Sequence, residues 1–184
     1  MTVTTTPMTV EEFSARDWPR GTQLIAGEVV VNQPKLPHQS ALGVIFAELH
    51  RWARAEPGRG YPGLSVDVPV GDHDLYAPDV WWVGEARRPA LAQLDLDGVP
   101  DLVVEVRSPS TWRYDVGVKK ARYEAAGVAE LWLVDTAAHS VLVYRRSAPG
   151  AATFDVALEL AGTDVLASPL LLGFALAVEA VLDG

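Results

Sequence analysis

The sequence contains no cysteine, which excludes disulfide bonds and metal sites built on thiolates. No apolar run approaches the roughly 18 residues of a membrane span. The Thr-rich beginning, residues 1–8, has neither the basic nor the apolar region of a secretory signal. From these absences we expect a cytoplasmic protein with no membrane partner.

Positive charge is also scarce in this chain. The 184 residues include 15 Lys and Arg against 24 Asp and Glu, which gives a formal net charge of −9. A protein that holds long duplex DNA by neutralising phosphates normally carries a basic patch, whereas the basic residues here form only short clusters. Stable, non-specific binding of duplex DNA is therefore not expected, although the acids of a metal site would themselves add negative charge.

The composition that remains is that of one globular domain, with 49% hydrophobic and 21% charged residues. No linker or repeat divides the chain, so we expect a single domain over residues 1–184. Along the chain, some segments repeat hydrophobic residues with the period of a helix and others with the period of a strand, which predicts an α/β (α+β) fold. The predicted helices are 9–15, 38–55 and 113–126, and the predicted strands are 23–25, 28–31, 64–70, 75–83, 101–107, 130–135, 140–145 and 153–158.

Two acidic residues stand in strand-like apolar runs. Asp79 opens the run Val80–Val83, and Glu105 follows three apolar residues in the strand 101–107. A buried carboxylate is costly unless it is paired or binds a metal. If the two strands are neighbours, both acids can hold one Mg²⁺ or Mn²⁺, with the Val106 carbonyl as a further ligand. Such an ion polarises a phosphate and activates water, so the pattern predicts a phosphodiesterase site.

Two residues are candidates for the positive charge beside this metal. Arg107 shares a strand face with Glu105 and can stabilise charge, but a guanidinium stays protonated and cannot act as a base. Lys119 lies one helical turn after Asp115 and one turn before Tyr123. A lysine can stabilise charge and, with a lowered pKa, help to activate water. We favour Lys119 as the catalytic cation and keep Arg107 as the alternative.

Several segments, in this order and spacing, resemble the Uma-two family of restriction-endonuclease-like proteins in the PD-(D/E)XK nuclease superfamily. They are 8–13, the hairpin around Gly27-Glu28, Pro37-His38, Pro78-Asp79, 104–111, Asp115, Lys119, Tyr123, 126–128 and 130–135. The resemblance implies a restriction-endonuclease-like mixed β-sheet flanked by helices. It also implies functional roles for five residues: metal ligation by Asp79 and Glu105, a catalytic lysine at Lys119 that has moved from strand to helix, and places near the same cleft for Glu28 and His38.

The chain departs from the family pattern in two places. Arg107 occupies the superfamily's lysine position, and Thr22-Gln23 replaces the usual tyrosine-glutamate before the hairpin, which puts one acidic contact in doubt. The resemblance implies a nucleic-acid substrate, with DNA expected. Small nucleases of this fold often cut duplexes in pairs, so a homodimer is allowed, although no residue pattern specifies one.

Structural interpretations stay open for the central residues. Asp79 could simply accept backbone hydrogen bonds at the start of a strand. Glu105 could be neutralised by Arg107 in a structural ion pair. Asp115 and Lys119 could form an exposed i,i+4 pair worth about 0.2–0.5 kcal/mol.

The outlying residues also have structural interpretations. His38 could pack or cap at the start of its helix, and Glu28 could be solvated. Trp81 and Trp82 are interpreted as core and interface residues rather than as platforms for base stacking. The leading hypothesis is a Mg²⁺- or Mn²⁺-dependent endonuclease, and the alternative is a catalytically silent binding or regulatory module that keeps the fold.

Overall fold

The structure is a computed structural model that describes residues 6–90, 92–93 and 95–183, so residues 1–5, 91, 94 and 184 of the predicted domain lie outside the described residues. The helices are α1 (Val10–Ser14), α2 (Leu36–Ala55), α3 (Trp112–Tyr114), α4 (Lys120–Ala125) and α5 (Val178–Leu182), with a 3₁₀ turn at Glu85–Arg87 and a π-helical turn at Asp115–Lys119. The strands are β1 (Thr22–Ile25), β2 (Glu28–Val31), β3 (Tyr61–Leu64), β4 (Val68–Gly71), β5 (Asp74–Tyr76), β6 (Val80–Val83), β7 (Leu102–Val106), β8 (Glu130–Asp135), β9 (Ser140–Arg145), β10 (Val156–Ala161), β11 (Val165–Leu166) and β12 (Leu176–Ala177).

A six-stranded mixed sheet in the order β10-β9-β8-β7-β6-β3 is the framework of the fold. Strands β7 and β8 are parallel, and the other neighbours are antiparallel. A smaller antiparallel sheet has the order β2-β1-β5-β4. Strand β7 is buried along its whole length, as predicted for a central strand covered on both faces. The predicted mixed sheet flanked by helices is confirmed.

The two faces of the large sheet form separate cores. Helix α2 and the C-terminal segment cover one face, where Ile45 and Leu49 join the cluster that contains Val104. On the opposite face Val103 packs with Tyr76 of the small sheet and with Tyr123 of α4. Because side chains alternate along a strand, Glu105 points with Val103 towards the second core, between the sheet and α4.

Several local predictions are confirmed. Thr9 and Glu12 form a capping box at α1. The β1–β2 hairpin turns through Ala26 and Gly27, both with positive φ angles of 51° and 77°, a conformation typical of two-residue hairpin loops. Helix α2 begins two residues before the predicted start because Pro37 is tolerated in a first turn. No helix in the described part of the chain is long and apolar enough to cross a membrane.

The predicted boundaries of three strands and one helix differ from those in the structure. The predicted strand 64–70 is divided between β3 and β4, and the predicted strand 75–83 is divided between β5 and β6, which belong to different sheets. Pro78 explains the second break because it cannot donate a hydrogen bond to a strand ladder. The predicted strand 153–158 lies three residues later, as β10. The predicted helix 113–126 consists of α3, the π-helical turn and α4.

Candidate active site

Asp79 lies where the chain enters β6, beside the neighbouring strand β7. The register pairs Val80 with Val104, so Asp79 and Glu105 follow at facing ends of these two strands. The two strands are therefore neighbours, which is what the sequence analysis required for the two acids to lie close together. Asp79 Oδ2 accepts a hydrogen bond from the Val106 backbone N–H at 2.7 Å. It also lies 3.1 Å from Nε2 of His38 in the first turn of α2. Strand β7 and helix α2 therefore both hold this carboxylate.

Glu105 is buried between the large sheet and the helical segment that follows it. Its Oε1 atom accepts two hydrogen bonds, from Lys119 Nζ at 2.6 Å and from the Tyr123 hydroxyl at 2.7 Å. The sequence left Arg107 open as the partner of Glu105, but the partners of this carboxylate are Lys119 and Tyr123. Both lie on the helix face that the sequence analysis had assigned to Asp115.

Asp115 and Lys119 are the first and last residues of the π-helical turn. Their ion pair has an Nζ–Oδ1 distance of 2.9 Å, and both side chains are about 2–3% exposed. The interpretation as an exposed surface pair is therefore wrong. We refer to Asp79, Glu105, Asp115 and Lys119 as the buried cluster.

The buried cluster contains three carboxylates and one ammonium group. Burial raises the pKa of Glu105 to about 8; Lys119 opposes this shift, and the charges of Asp115 and Asp79 add to it. Burial likewise raises the pKa of Asp115, against the effect of Lys119. Excess negative charge in a poorly solvated place favours any bound cation, because the cation replaces the missing water in stabilising the carboxylates.

Lys119 stays protonated in this environment. Burial disfavours its charge, but the carboxylates of Asp115 and Glu105 outweigh that effect and raise the pKa of the ammonium group. The expectation that a lowered pKa might let Lys119 activate water therefore does not fit its surroundings. Its geometry suits it to supply positive charge and to hold Glu105 Oε1.

A second layer of residues, which the sequence analysis did not assign to the site, supports the buried cluster. The Lys119 ammonium lies 5.4 Å from the ring centroid of Tyr76, which also packs edge-on against Tyr123. The Tyr76 hydroxyl donates to Asp74 Oδ1 at 2.6 Å, and Arg122 pairs with Asp74 Oδ2 at 3.0 Å. Asp74 and Tyr76 belong to β5 and Arg122 belongs to α4, so no spacing along a single element would have identified this layer.

Arg107 is engaged at a different place. Its Nη1 atom donates to both carboxylate oxygens of Asp135 at 2.8 Å, and its guanidinium lies 5.5 Å from the ring centroid of Trp112. Asp135 in turn accepts hydrogen bonds from the backbone of Ala137 and Ala138 in the β8–β9 turn. The structure thus links Arg107 to a turn and does not bring it into the buried cluster.

The two N-terminal candidates differ in position. His38 is buried against Asp79, whereas Glu28 is exposed at the start of β2, with Tyr114 donating to it at 3.4 Å. Glu28 is therefore not in contact with the buried cluster. Gln23, which stands where the family has an acid, accepts a hydrogen bond from the Ala77 backbone at 3.2 Å and so holds the chain just before Asp79.

A cleft of about 630 Å³ gives access to this region. Its walls include His38 and Asp79, together with Gln23 from β1 and Asp67 from the segment between β3 and β4. Glu105 and Lys119 lie deeper, at 3% and 2% exposure. A substrate in the cleft would therefore meet Asp79 first.

The arrangement of oxygen atoms fits a hard divalent cation. Among the described residues, the hydrogen bonds of Asp79 all go to Oδ2 and those of Glu105 all go to Oε1. Asp79 Oδ1 and Glu105 Oε2 therefore take no part in these hydrogen bonds and could serve as ligand atoms on adjacent strands. No group of three or more His, Asp or Glu side chains in the described ranges is arranged for a metal ion. Two carboxylates are enough for Mg²⁺, which keeps several waters and adds phosphate oxygens.

Comparisons with known proteins agree with this architecture. The sequence matches the model of the Uma2 family, described as "Putative restriction endonuclease", over residues 10–179. The fold is similar to the crystal structure of "a putative nuclease belonging to DUF820 from Anabaena variabilis", with a TM-score of 0.79 over 96% of this chain and 98% of that one. The two sequences are 17% identical, so this likeness establishes the fold alone. No curated protein sequence matches the chain.

Proposed function

The chain belongs to the Uma2 family, and from this premise and the geometry of the buried cluster we propose that it is a metal-dependent nuclease that hydrolyses phosphodiester bonds. The family description and the nuclease-like fold imply a nucleic-acid substrate. One observation supports the assignment of the site: Glu105 and Asp115 share the Lys119 ammonium in a buried place beside Asp79, and Asp79 and Glu105 each keep one carboxylate oxygen outside these hydrogen bonds.

Each residue has a role in this proposal that follows from its contacts. Asp79 and Glu105 would hold Mg²⁺ or Mn²⁺, which when bound supplies Lewis-acid polarisation of phosphate and water. Val106, whose N–H donates to Asp79, is proposed to supply its carbonyl oxygen as a further ligand. His38 orients Asp79 from the other side.

Lys119 is proposed as the residue that supplies positive charge beside the reacting phosphate. Its raised pKa keeps it protonated, so it can stabilise negative charge that develops in the transition state. Tyr123 donates to the same Glu105 oxygen and thereby fixes the rotamer of that carboxylate. Because Lys119 stays protonated, it would not accept the proton of the attacking water.

The test is cleavage of plasmid and single-stranded DNA in Mg²⁺, in Mn²⁺ and in EDTA. We expect cutting that requires a divalent ion and that falls at least about 100-fold in Asp79→Ala, Glu105→Ala and Lys119→Met. Arg107→Gln is the matched control because Arg107 is bound to Asp135, and it should retain activity. If Asp79→Ala and Glu105→Ala cut as fast as the wild type, the site assignment is wrong.

A catalytically silent binding module is the second candidate, and one observation favours it. Glu105 already accepts hydrogen bonds from Lys119 and Tyr123, and Asp79 is already bonded to His38 and the Val106 N–H, so the buried cluster is internally hydrogen-bonded. Calorimetric titration with Mn²⁺ distinguishes the two. Saturable binding that Asp79→Ala abolishes supports the nuclease, whereas the silent module predicts no heat above that of the variant.

A further inference from the structure

A second cavity, of about 560 Å³, adjoins the cleft that contains Asp79. The two cavities share Val66 and Asp95 as wall residues and so lie side by side, and we refer to them together as the groove. The far part of this groove is lined by Tyr61, Trp81 and Arg88, and we call it the aromatic pocket. The proposed catalytic residues do not line it, and the sequence analysis had assigned Trp81 to the core.

The aromatic wall of this pocket is held rigidly. Trp81 lies across Gly63 on the neighbouring strand β3, where a Cβ atom would overlap the indole ring. The indole N–H donates to the Leu64 carbonyl at 2.9 Å. Tyr61 packs on Trp81 with ring centroids 5.9 Å apart and remains partly exposed. Tyr61 therefore offers a rigid stacking surface to a ligand that displaces the Arg88 guanidinium from over its ring.

The polar groups of the pocket complement those of a nucleotide. The guanidinium of Arg88 lies 5.4 Å from the ring centroid of Tyr61, at the half-exposed rim, where it can stack on a planar ligand or meet a phosphate. Gln93 and Asp95 add an amide and a carboxylate that can bind the edge of a base. A planar aromatic ring, a guanidinium and donors and acceptors at one edge together match an unpaired nucleobase.

We propose that the aromatic pocket is a subsite for an unpaired base of single-stranded DNA, whose chain continues along the groove to Asp79. This proposal rests on the proposed nuclease function, which it deepens by naming the form of the substrate. A base must leave its duplex stack before it can enter such a pocket. The net charge of −9 disfavours many phosphate contacts along a duplex, so binding would depend on stacking more than on phosphate neutralisation.

The experiment measures binding of a fluorescein-labelled DNA decamer to the full chain in EDTA, so that no metal-dependent cutting occurs. Base stacking on an aromatic side chain is worth about 10-fold in affinity or more, so Tyr61→Leu should weaken binding at least about 10-fold. Arg88→Gln should weaken binding as well. The matched control is Arg51→Gln, because Arg51 is an exposed arginine with the same i,i+3 glutamate pairing but lies outside the groove. Thermal unfolding of each variant verifies that it is folded.

A series of decamers with one abasic position tests whether Tyr61 contacts a base. At one position, the missing base should weaken binding to the wild type by about the factor seen for Tyr61→Leu. The same abasic decamer should bind to Tyr61→Leu almost as tightly as the intact decamer does. The aromatic pocket is refuted if Tyr61→Leu binds the decamer as tightly as the wild type does. It is also refuted if, at every position, the loss of affinity from the abasic site multiplies with the loss from Tyr61→Leu. A third contradicting outcome is that Tyr61→Leu weakens binding of the matching duplex by the same factor as binding of the single strand.

The two proposals fail separately in these experiments. A protein that couples Tyr61 to one base but never cuts DNA refutes the nuclease and leaves the subsite supported. A protein that cuts DNA with dependence on Asp79, but shows no coupling between Tyr61 and any base, refutes the subsite alone.

Discussion

At the scale of single residues, the central finding is that a lysine and three acids share one buried place. Lys119 compensates Glu105 and Asp115 directly, at 2.6 and 2.9 Å. Removing one partner from a buried ion pair is costly because the other charge stays behind. This dependence makes Lys119 important for the integrity of the site as well as for any chemistry there.

The raised pKa of Glu105 leads to a pH dependence of stability in the metal-free protein. The folded value of about 8 exceeds the ordinary value of 4.5, so the folded state binds this proton more tightly than the unfolded state. The contribution is fully present below about pH 4.5 and is lost as pH rises through about 8. In EDTA, the melting temperature of the wild type should therefore fall relative to that of Glu105→Gln over this range. A difference between the two proteins that does not change with pH would contradict the prediction.

At the scale of secondary-structure elements, the π-helical turn has a geometric consequence. Four residues of α-helix advance about 40° beyond a full turn, so two such steps would rotate Tyr123 about 80° away from Asp115. A π-helical turn contains more than four residues, so four residues fall short of a full turn. The π-helical step from Asp115 to Lys119 therefore offsets the α-helical step from Lys119 to Tyr123, and all three side chains face Glu105.

The pairing of β3 with β6 yields a second prediction, which concerns two glycines. Gly63→Ala should destabilise the protein by about 1–3 kcal/mol because its Cβ would overlap the indole ring of Trp81. Gly43→Ala is the matched control: Gly43 lies in α2, where the added Cβ would meet no described atom within 4 Å beyond its own helix backbone, and the change should stabilise the protein by about 0.5–1 kcal/mol. Urea unfolding measures both changes. Equal effects of the two substitutions would show that Trp81 does not pack on Gly63 as described.

At the scale of the whole molecule, the charge balance limits how nucleic acid can be held. A net charge of −9 opposes long tracts of phosphate contacts, and the groove supplies aromatic surface instead. The substrate would then be bound locally, over a few nucleotides on either side of Asp79.

This limit predicts a weak dependence of DNA binding on salt. For a protein bound to single-stranded DNA, the logarithm of the binding constant falls with the logarithm of the salt concentration, with a slope of about −0.7 for each phosphate contact. With two to four contacts the slope should lie between about −1.4 and −2.8. Titration of the decamer at several salt concentrations measures it. A slope steeper than about −5 would indicate an extended basic surface, in conflict with the charge distribution.

The amino-acid sequence by itself determined the class of fold, the central buried strand, the hairpins and the two acids in strands. Each of these follows from a local signal: the period of the hydrophobic residues, the turn residues or the order of the motifs. Spacing along one element also placed Asp115, Lys119 and Tyr123 on a common face. Only the tertiary structure decided that Lys119 rather than Arg107 meets Glu105, that Pro78 divides two sheets, and that Trp81 borders a cavity. These outcomes depend on which distant segments pack together: Arg107 pairs with Asp135, 28 residues away along the chain, and local spacing cannot predict such a partner.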